Sequence, residues 1–242
     1  MNLSAIAPDG KPSFILKQMN HIADNLAAIL ERLERACRTG GRTAGAARLV
    51  AVSKTFPPAD LAAAADAGQR DFGESYLQEA LPKLEALAGR GLIWHYIGPL
   101  QANKTREIAA RFDWVHGVDR LKIAERLSAQ RPEGMPPLQV CVQVNVSGEA
   151  SKSGCAPEQA AALCRAVAAL PRLRLRGLMA IPAPAADPQA SRPAFRQLRE
   201  LFEGIRAAGM PEYFDTLSMG MSGDFEVAAE EGATLVRVGS AP

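Results

Sequence analysis

Apolar positions in this chain recur in two rhythms. Ile15, Met19, Ile22, Leu26, Ile29 and Leu33 are spaced by alternating four- and three-residue steps, the stripe of an amphipathic helix over residues 13–38. Gly40-Gly41 stops it. Beyond that point, short continuous apolar runs alternate with helix-like segments. The runs are Leu49 to Lys54, Asp71 to Gly73, Leu92 to Ile97, Trp114 to Val118, Leu138 to Val146, Leu173 to Ile181, Phe214 to Leu217 and Thr234 to Val238. Such runs read as parallel strands buried on both faces. Helices are predicted from Pro57-Pro58 and over 76–87, 104–112, 120–130, 157–170, 191–208 and 224–231. Eight such alternations predict one domain over residues 1–242. Its fold class is α/β, a single (β/α)8 TIM barrel with an additional N-terminal helix. A doubly wound sheet is the alternative. No Gly-x-Gly-x-x-Gly follows the first run, which weighs against a dinucleotide-binding version of that sheet.

Composition narrows the partners. The chain is 48% hydrophobic and 22% charged, with a formal net charge of +2, too small to argue for nucleic acid or a membrane surface. No apolar stretch reaches spanning length, and the first residues lack the basic start and apolar core of a signal peptide. Cys37, Cys141, Cys155 and Cys164 form no Cys-x-x-Cys pair, and no histidine stands at metal-ligand spacing to them. Four buried free thiols, no metal site and a reducing cytoplasm are the expectation.

In a β/α barrel, chemistry gathers at the carboxyl ends of the strands. Lys54 ends the first run, in Ala51-Val52-Ser53-Lys54-Thr55. An amine placed at the barrel mouth and desolvated there becomes a carbonyl nucleophile. The turns after the seventh and eighth runs, Ser218-Met219-Gly220-Met221-Ser222 and Gly239-Ser240, are rich in small and hydroxyl residues. Small residues let backbone N–H groups approach a phosphate, and barrels often hold phosphate at those two ends. Arg237 could face a cofactor ring nitrogen and keep it unprotonated. His95 and His116 lie inside strand-like runs and read as satisfied core histidines. The Pro182 to Pro188 segment reads as an exposed connector, and Glu149 and Lys152 as charges of a surface loop.

Several strand ends together resemble the pyridoxal phosphate homeostasis protein family. The matching stretches are Ala51 to Thr55, Phe72-Gly73-Glu74, Trp94 to Gln101 with Asn103-Lys104, Val144 to Ser147, Gly177 to Pro182, Leu217 to Ser222 and Val236 to Gly239. The likeness runs over residues 14–240. It implies a barrel of the alanine racemase N-terminal type without that enzyme's second domain. It implies pyridoxal 5′-phosphate carried on Lys54 as a Schiff base. The phosphate would lie near Ser218, Ser222, Gly239 and Ser240, with Arg237 near the pyridine nitrogen. Asn145 and Met179, in matching stretches at the ends of the fifth and sixth runs, join the cofactor-binding candidates. The resemblance further implies a cytoplasmic protein of vitamin B6 homeostasis that buffers or delivers the cofactor, with recipient apoenzymes as partners and no catalytic residue assigned. A monomer is expected, because the racemase-type dimer relies on the missing domain.

Two departures stand out. Ser75 replaces the family's asparagine, and Ala241-Pro242 stands where the family continues with Ile-Phe-Gly, so the last strand is expected to fray. Two enzyme readings compete with the carrier. One is an amino-acid racemase, which needs a base on each face of the substrate carbanion. The other is a Schiff-base aldolase acting on a phosphorylated sugar through Lys54.

Overall fold

The computed structural model describes residues 14–148, 153–183 and 186–239. Its strands are β1 (Arg48–Val52), β2 (Asp71–Glu74), β3 (Ile93–Tyr96), β4 (Trp114–Val118), β5 (Leu138–Gln143), β6 (Leu173–Met179), β7 (Thr216–Met221) and β8 (Leu235–Val238). They pair in sequence order, all parallel, and β8 closes on β1. The helices are α1 (Phe14–Thr39), α2 (Pro58–Asp66), α3 (Leu77–Ala86), α4 (Thr105–Arg111), α5 (Leu121–Gln130), α6 (Pro157–Ala168), α7 (Arg192–Ala207) and α8 (Phe225–Glu230). This is the (β/α)8 barrel with a helix added before β1, not the doubly wound sheet. Closure leaves no sheet edge unpaired.

The strand pleat sorts side chains into two compartments. Val115, Leu178, Val236 and Val238 point outward into the core shared with the helices. Their neighbours in sequence point inward. Val50, Trp114, Cys141, Met179 and Leu235 pack together in the lumen. Arg237 and His116 share that inward face with Leu235 and Trp114, two residues along the same strands.

α1 packs on α2 and α8 and so covers the seam where β8 meets β1. Arg32 forks onto the Glu226 carboxylate of α8 at 3.0 and 3.2 Å. After α1, Arg42 donates to the carbonyls of Ala229, Ala233 and Ala46 and closes the loop.

Some boundaries differ from the sequence reading. β1 ends at Val52, so Lys54 stands in the following turn. β7 begins at Thr216 and runs to Met221 rather than spanning Phe214 to Leu217. Phe214 precedes it and stacks on Phe202 of α7 at 4.9 Å between ring centroids, so its apolar character serves the helix layer. A 3₁₀ turn, Pro188–Ser191, leads into α7, and Pro182 ahead of it is buried rather than exposed. β8 is paired with β1 as far as Val238 and with β7 as far as Arg237, and Ala241-Pro242 lie outside the described residues. Ser240, Glu149 and Lys152 lie outside the described residues. All four cysteines are buried and free. Burial pushes the thiols of Cys141 and Cys164 up to about 12 and that of Cys155 to about 11. Among the described residues, no helix is long and apolar enough to cross a membrane, and no cluster of His, Cys, Asp and Glu could hold a metal ion.

Candidate functional site

Lys54 sits at the carboxyl end of β1 with its side chain exposed, not desolvated as its strand-end position suggested. The residues on either side of it are held tightly. Ser53 is buried and donates its hydroxyl to Glu74 Oε1 at 2.6 Å. Thr55 adopts a φ of 69°, a left-handed conformation costly for a β-branched residue. Its N–H donates to the Glu79 carboxylate of α3. Lys83, buried in α3, ties the two together: its ammonium donates to Ser53 O at 2.7 Å, Glu74 Oε1 at 2.9 Å and Glu79 Oε1 at 2.7 Å. Hydrogen bonding to Lys83 holds the Glu79 carboxyl below its ordinary range, with the Thr55 N–H and the charges of Lys83 and Lys54 adding to that. Glu74 is fully buried and its Oε2 has no partner. Strain at a turn persists when its surroundings over-determine it, and such turns cluster at sites of function.

Next to β1 around the mouth, β8 and its neighbour β7 carry Arg237 and Ser218. Arg237 is buried and donates to Ser218 Oγ at 2.5 Å and to Ala180 O at 3.1 Å. Burial pulls its guanidinium down to about 10, against the opposing fields of Cys141 and Asp224. Among the described residues, no carboxylate stands within ion-pair distance of it. A buried cation without an ion partner is costly, and an electron-rich ligand at the mouth would relieve it. The strand register sets Arg237 level with Val50, four residues before Lys54, on the adjacent strand.

The two turns beyond β7 and β8 meet. Gly239 N–H donates to Ser222 Oγ at 3.3 Å, and Asp224 Oδ1 accepts from Met221 N–H at 2.7 Å. Both turns need glycine. Gly220 has a φ of 91°, and a Cβ there would sit 2.5 Å from Ala228 Cβ. A Cβ on Gly239 would sit 2.9 Å from the carbonyl oxygen of Val52.

The candidates thus divide. Lys54, Ser222 and Gly239 lie at strand ends with exposed or partly exposed surface. Arg237, Ser218 and Met179 lie beneath them, buried in the lumen. Asn145, in the turn after β5, accepts from Ser147 Oγ at 3.0 Å and is partly buried. A separate cleft of about 550 Å³ opens between α1, α2 and β1, lined by Ile22, Leu26, Leu61 and Phe72. It reaches Gly239 but none of Lys54, Asn145, Met179, Ser218 and Arg237.

Sequence reasoning missed the Glu74–Lys83–Glu79 network. Glu74 ends a short run that reads as apolar, and Lys83 lies on a helix where a solvated lysine is the default. The four-residue spacing of Glu79 and Lys83 was the available signal. His95 and His116 are satisfied core histidines, as expected, but they bond to each other.

The family described as alanine racemase, N-terminal domain, matches residues 25–241. The pyridoxal phosphate homeostasis protein of Pseudomonas aeruginosa is 58% identical over 223 residues, covering 92% of this chain and 95% of that one. That of Escherichia coli K12 is 49% identical over 226 residues, covering 92% and 96%. The chain belongs to the pyridoxal phosphate homeostasis protein family. The family's fold is seen in PipY of Synechococcus elongatus, solved with pyridoxal phosphate bound. It is 34% identical with a TM-score of 0.78, covering 90% of this chain and 97% of that one. Alanine racemase of Corynebacterium glutamicum shares the fold at 17% identity and a TM-score of 0.66, covering 91% of this chain and 60% of that one.

Proposed function

We propose that this member of the family binds pyridoxal 5′-phosphate as a Schiff base on Lys54 and holds it in reserve for delivery to apoenzymes. The observation that carries the reading is the mouth's division of labour. An exposed amine on a fixed turn stands at β1, and on the adjacent strand β8 lies a buried guanidinium with no carboxylate partner among the described residues. The bound form of the S. elongatus relative supports the ligand's identity. The residues fit such a group. Lys54 would meet its aldehyde, and Arg237 would offer a hydrogen bond to its ring nitrogen. The phosphate would be received by backbone N–H groups around Gly220 and Gly239 and by the Ser222 hydroxyl, the role the sequence also gives Ser240. Asn145 and Met179 would border the ring. When bound, the cofactor supplies an aldehyde that condenses with the Lys54 amine, releasing water, and an electron-accepting ring.

A carrier without appreciable turnover is the reading best supported. A guanidinium facing the ring nitrogen opposes its protonation and so weakens the ring as an electron sink. Among the described residues no tyrosine is assigned as a second base: Tyr76, just past β2, is 59% exposed. Tyr96 donates to Pro99 O at 3.3 Å, and Tyr213 lies before β7, at the amino end of the strands. The protein is accordingly read as a cytoplasmic monomer.

Borohydride reduction of the loaded protein, followed by peptide mass analysis, tests the site. A pyridoxyl group on Lys54 is expected. Finding it only on another lysine, such as Lys104 or Lys152, overturns the assignment. Deuterium exchange at the α-carbon of alanine or serine tests the racemase reading. Sustained exchange at an enzyme-like rate, lost in Lys54→Ala, would replace the carrier with an enzyme.

A further inference from the structure

A row of polar side chains threads the barrel lumen from the amino end of β2 to the mouth. Asp71 Oδ1 and His95 Nε2 are 2.9 Å apart. His95 Nδ1 and His116 Nε2 are 2.9 Å apart, and His116 Nδ1 and Ser218 Oγ 2.7 Å. Arg237 closes the row on Ser218 at 2.5 Å. At the far end, Arg48 approaches Asp71 at 3.4 Å.

The chemistry of the two ends fixes the direction of every bond. A carboxylate only accepts, so His95 donates from Nε2 and its Nδ1 is an acceptor. His116 therefore donates from Nε2 and accepts at Nδ1. Ser218 donates its hydroxyl hydrogen to that nitrogen, which turns its lone pairs toward Arg237, a pure donor. The reverse polarity fails. It would require Asp71 to donate and would leave Ser218 accepting from both neighbours with its own hydrogen unplaced.

His95, His116 and Ser218 are 0% exposed, so water cannot substitute for a missing member. Both rings are held neutral by burial. His95 faces Asp71, Asp113 and Arg48, and the Asp71 hydrogen bond does not overcome desolvation. His116 faces His95 and Arg237, both of which oppose a second proton. A charged ring would have to point an N–H at a neighbour that is already donating.

We propose that Asp71, His95, His116 and Ser218 act in series as one directional hydrogen-bond relay that positions the Arg237 guanidinium at the barrel mouth. The inference rests on reading the mouth as the cofactor site. Among the described residues, no carboxylate stands within ion-pair distance of Arg237, and Ser218 Oγ and Ala180 O hold it. Ser218 can hold it only while its hydroxyl hydrogen is committed to His116. The three upstream groups are positioning residues, acting on the ligand's ring through Arg237. Ser218, with its hydrogen spent on His116, serves the ring side of the site and is not a phosphate donor.

Two experiments test this. In the first, ring ¹⁵N–¹H correlation spectra of the cofactor-free protein are recorded at pH 7. Only three histidines are present, so the rings are assignable from single variants. Neutral rings protonated at Nε2 are expected for both His95 and His116. An Nδ1–H tautomer or a charged ring at either position overturns the relay, whether or not the protein binds cofactor.

In the second, affinities for pyridoxal phosphate and for pyridoxal are measured by absorbance for Asp71→Leu, which removes the acceptor, for Ser218→Ala and for the double variant. Each single change should weaken both ligands by the same factor, about tenfold, and move the bound ligand's absorbance in the same sense. The double variant should bind no worse than Ser218→Ala, and Ser218→Thr, which keeps the hydroxyl, should restore binding. If Asp71→Leu does not fold, His95→Phe takes its place. Additive losses overturn series action. So does a loss confined to the phosphorylated ligand, which would return Ser218 to the phosphate. A parent that binds neither ligand refutes the cofactor reading and leaves the relay to the ring spectra.

Discussion

Two neighbouring parts of the barrel mouth hold their key cations in opposite ways. At β1, the amine of Lys54 is exposed, and its turn is gripped from the helix layer by the charged set Glu74, Lys83 and Glu79. At β7 and β8, the guanidinium of Arg237 is buried and steadied from the lumen by neutral groups. The contrast matches the two tasks proposed for these groups. A group that must form and break a covalent bond needs a fixed base and a free tip. A group that only tunes a ring needs to stay where it is. The electrostatic risk is opposite as well. The β1 side depends on charges that must remain paired. The β8 side depends on imidazoles that must remain uncharged.

The largest effect should come from breaking the β1 grip. Lys83 and Glu74 are 5% and 0% exposed, and truncating one partner of such a pair leaves a buried charge uncompensated. Lys83→Met should therefore cost about 3–5 kcal/mol of stability in urea unfolding. Adding Glu74→Gln should recover a large part of that loss. A double variant no more stable than Lys83→Met would mean that the network contributes packing rather than paired charge.

In the adjoining β7–β8 part, Gly220→Ala should cost about 2–3 kcal/mol. The new methyl would meet Ala228 Cβ at 2.5 Å and the Phe225 Cα at 3.0 Å, at a φ of 91° that alanine resists. Affinity for pyridoxal phosphate should fall more than affinity for pyridoxal, because the displaced turn belongs to the proposed phosphate cradle. Equal losses for the two ligands would remove the phosphate from this turn.

Acid should separate the two sides. Burial lowers the proton affinity of His95 and His116 in the folded protein, so below pH about 6.5 the unfolded chain binds more protons than the folded one. Stability is therefore complete above that pH and falls as pH drops toward the depressed folded values. Each imidazole contributes a slope of up to about 1.4 kcal/mol per pH unit. The β1 carboxylate Glu79 is shifted downward, so its loss begins only below about pH 4.5. Between pH 6.5 and 5, His116→Gln should flatten the decline by roughly one imidazole's share. An unchanged slope in that variant would place the acid sensitivity elsewhere.

The strand-end residues were legible in sequence because position along a short apolar run fixes which end of the barrel a residue reaches. Lys54, Arg237 and the glycines at 220 and 239 needed nothing more. What holds them was not legible. The partners come from other strands and helices, 9 residues away for Glu74 and Lys83 and 102 for His116 and Ser218. The inward phase of His116 follows from alternation with Trp114 within β4. Its meeting with Ser218 across the lumen depends on barrel closure and on how far each strand is staggered, which no local pattern encodes. The exposure of Lys54 was hidden for a related reason: β1 ends two residues earlier than its apolar run.

The smallest predicted effect concerns the strained residue beside Lys54. Thr55 holds a φ of 69°, where its branched Cβ crowds the backbone. Asparagine tolerates this conformation far better, because its short polar side chain bonds locally, and it lacks the unfolded-state freedom that glycine would add. Thr55→Asn should thus raise stability by about 0.5–1 kcal/mol, read as a higher urea midpoint at unchanged m-value. The Thr55 N–H bond to Glu79 needs no side chain and survives the change. If the strain merely accompanies the turn, cofactor capture by Lys54 should proceed at the parent rate in this more stable protein. If the strain sets the aim of the amine, relaxing it should slow capture although the fold is more stable. The first outcome would make the β1 grip a matter of charge alone. The second would add a conformational element that the β8 side, built on unstrained strand residues, does not share.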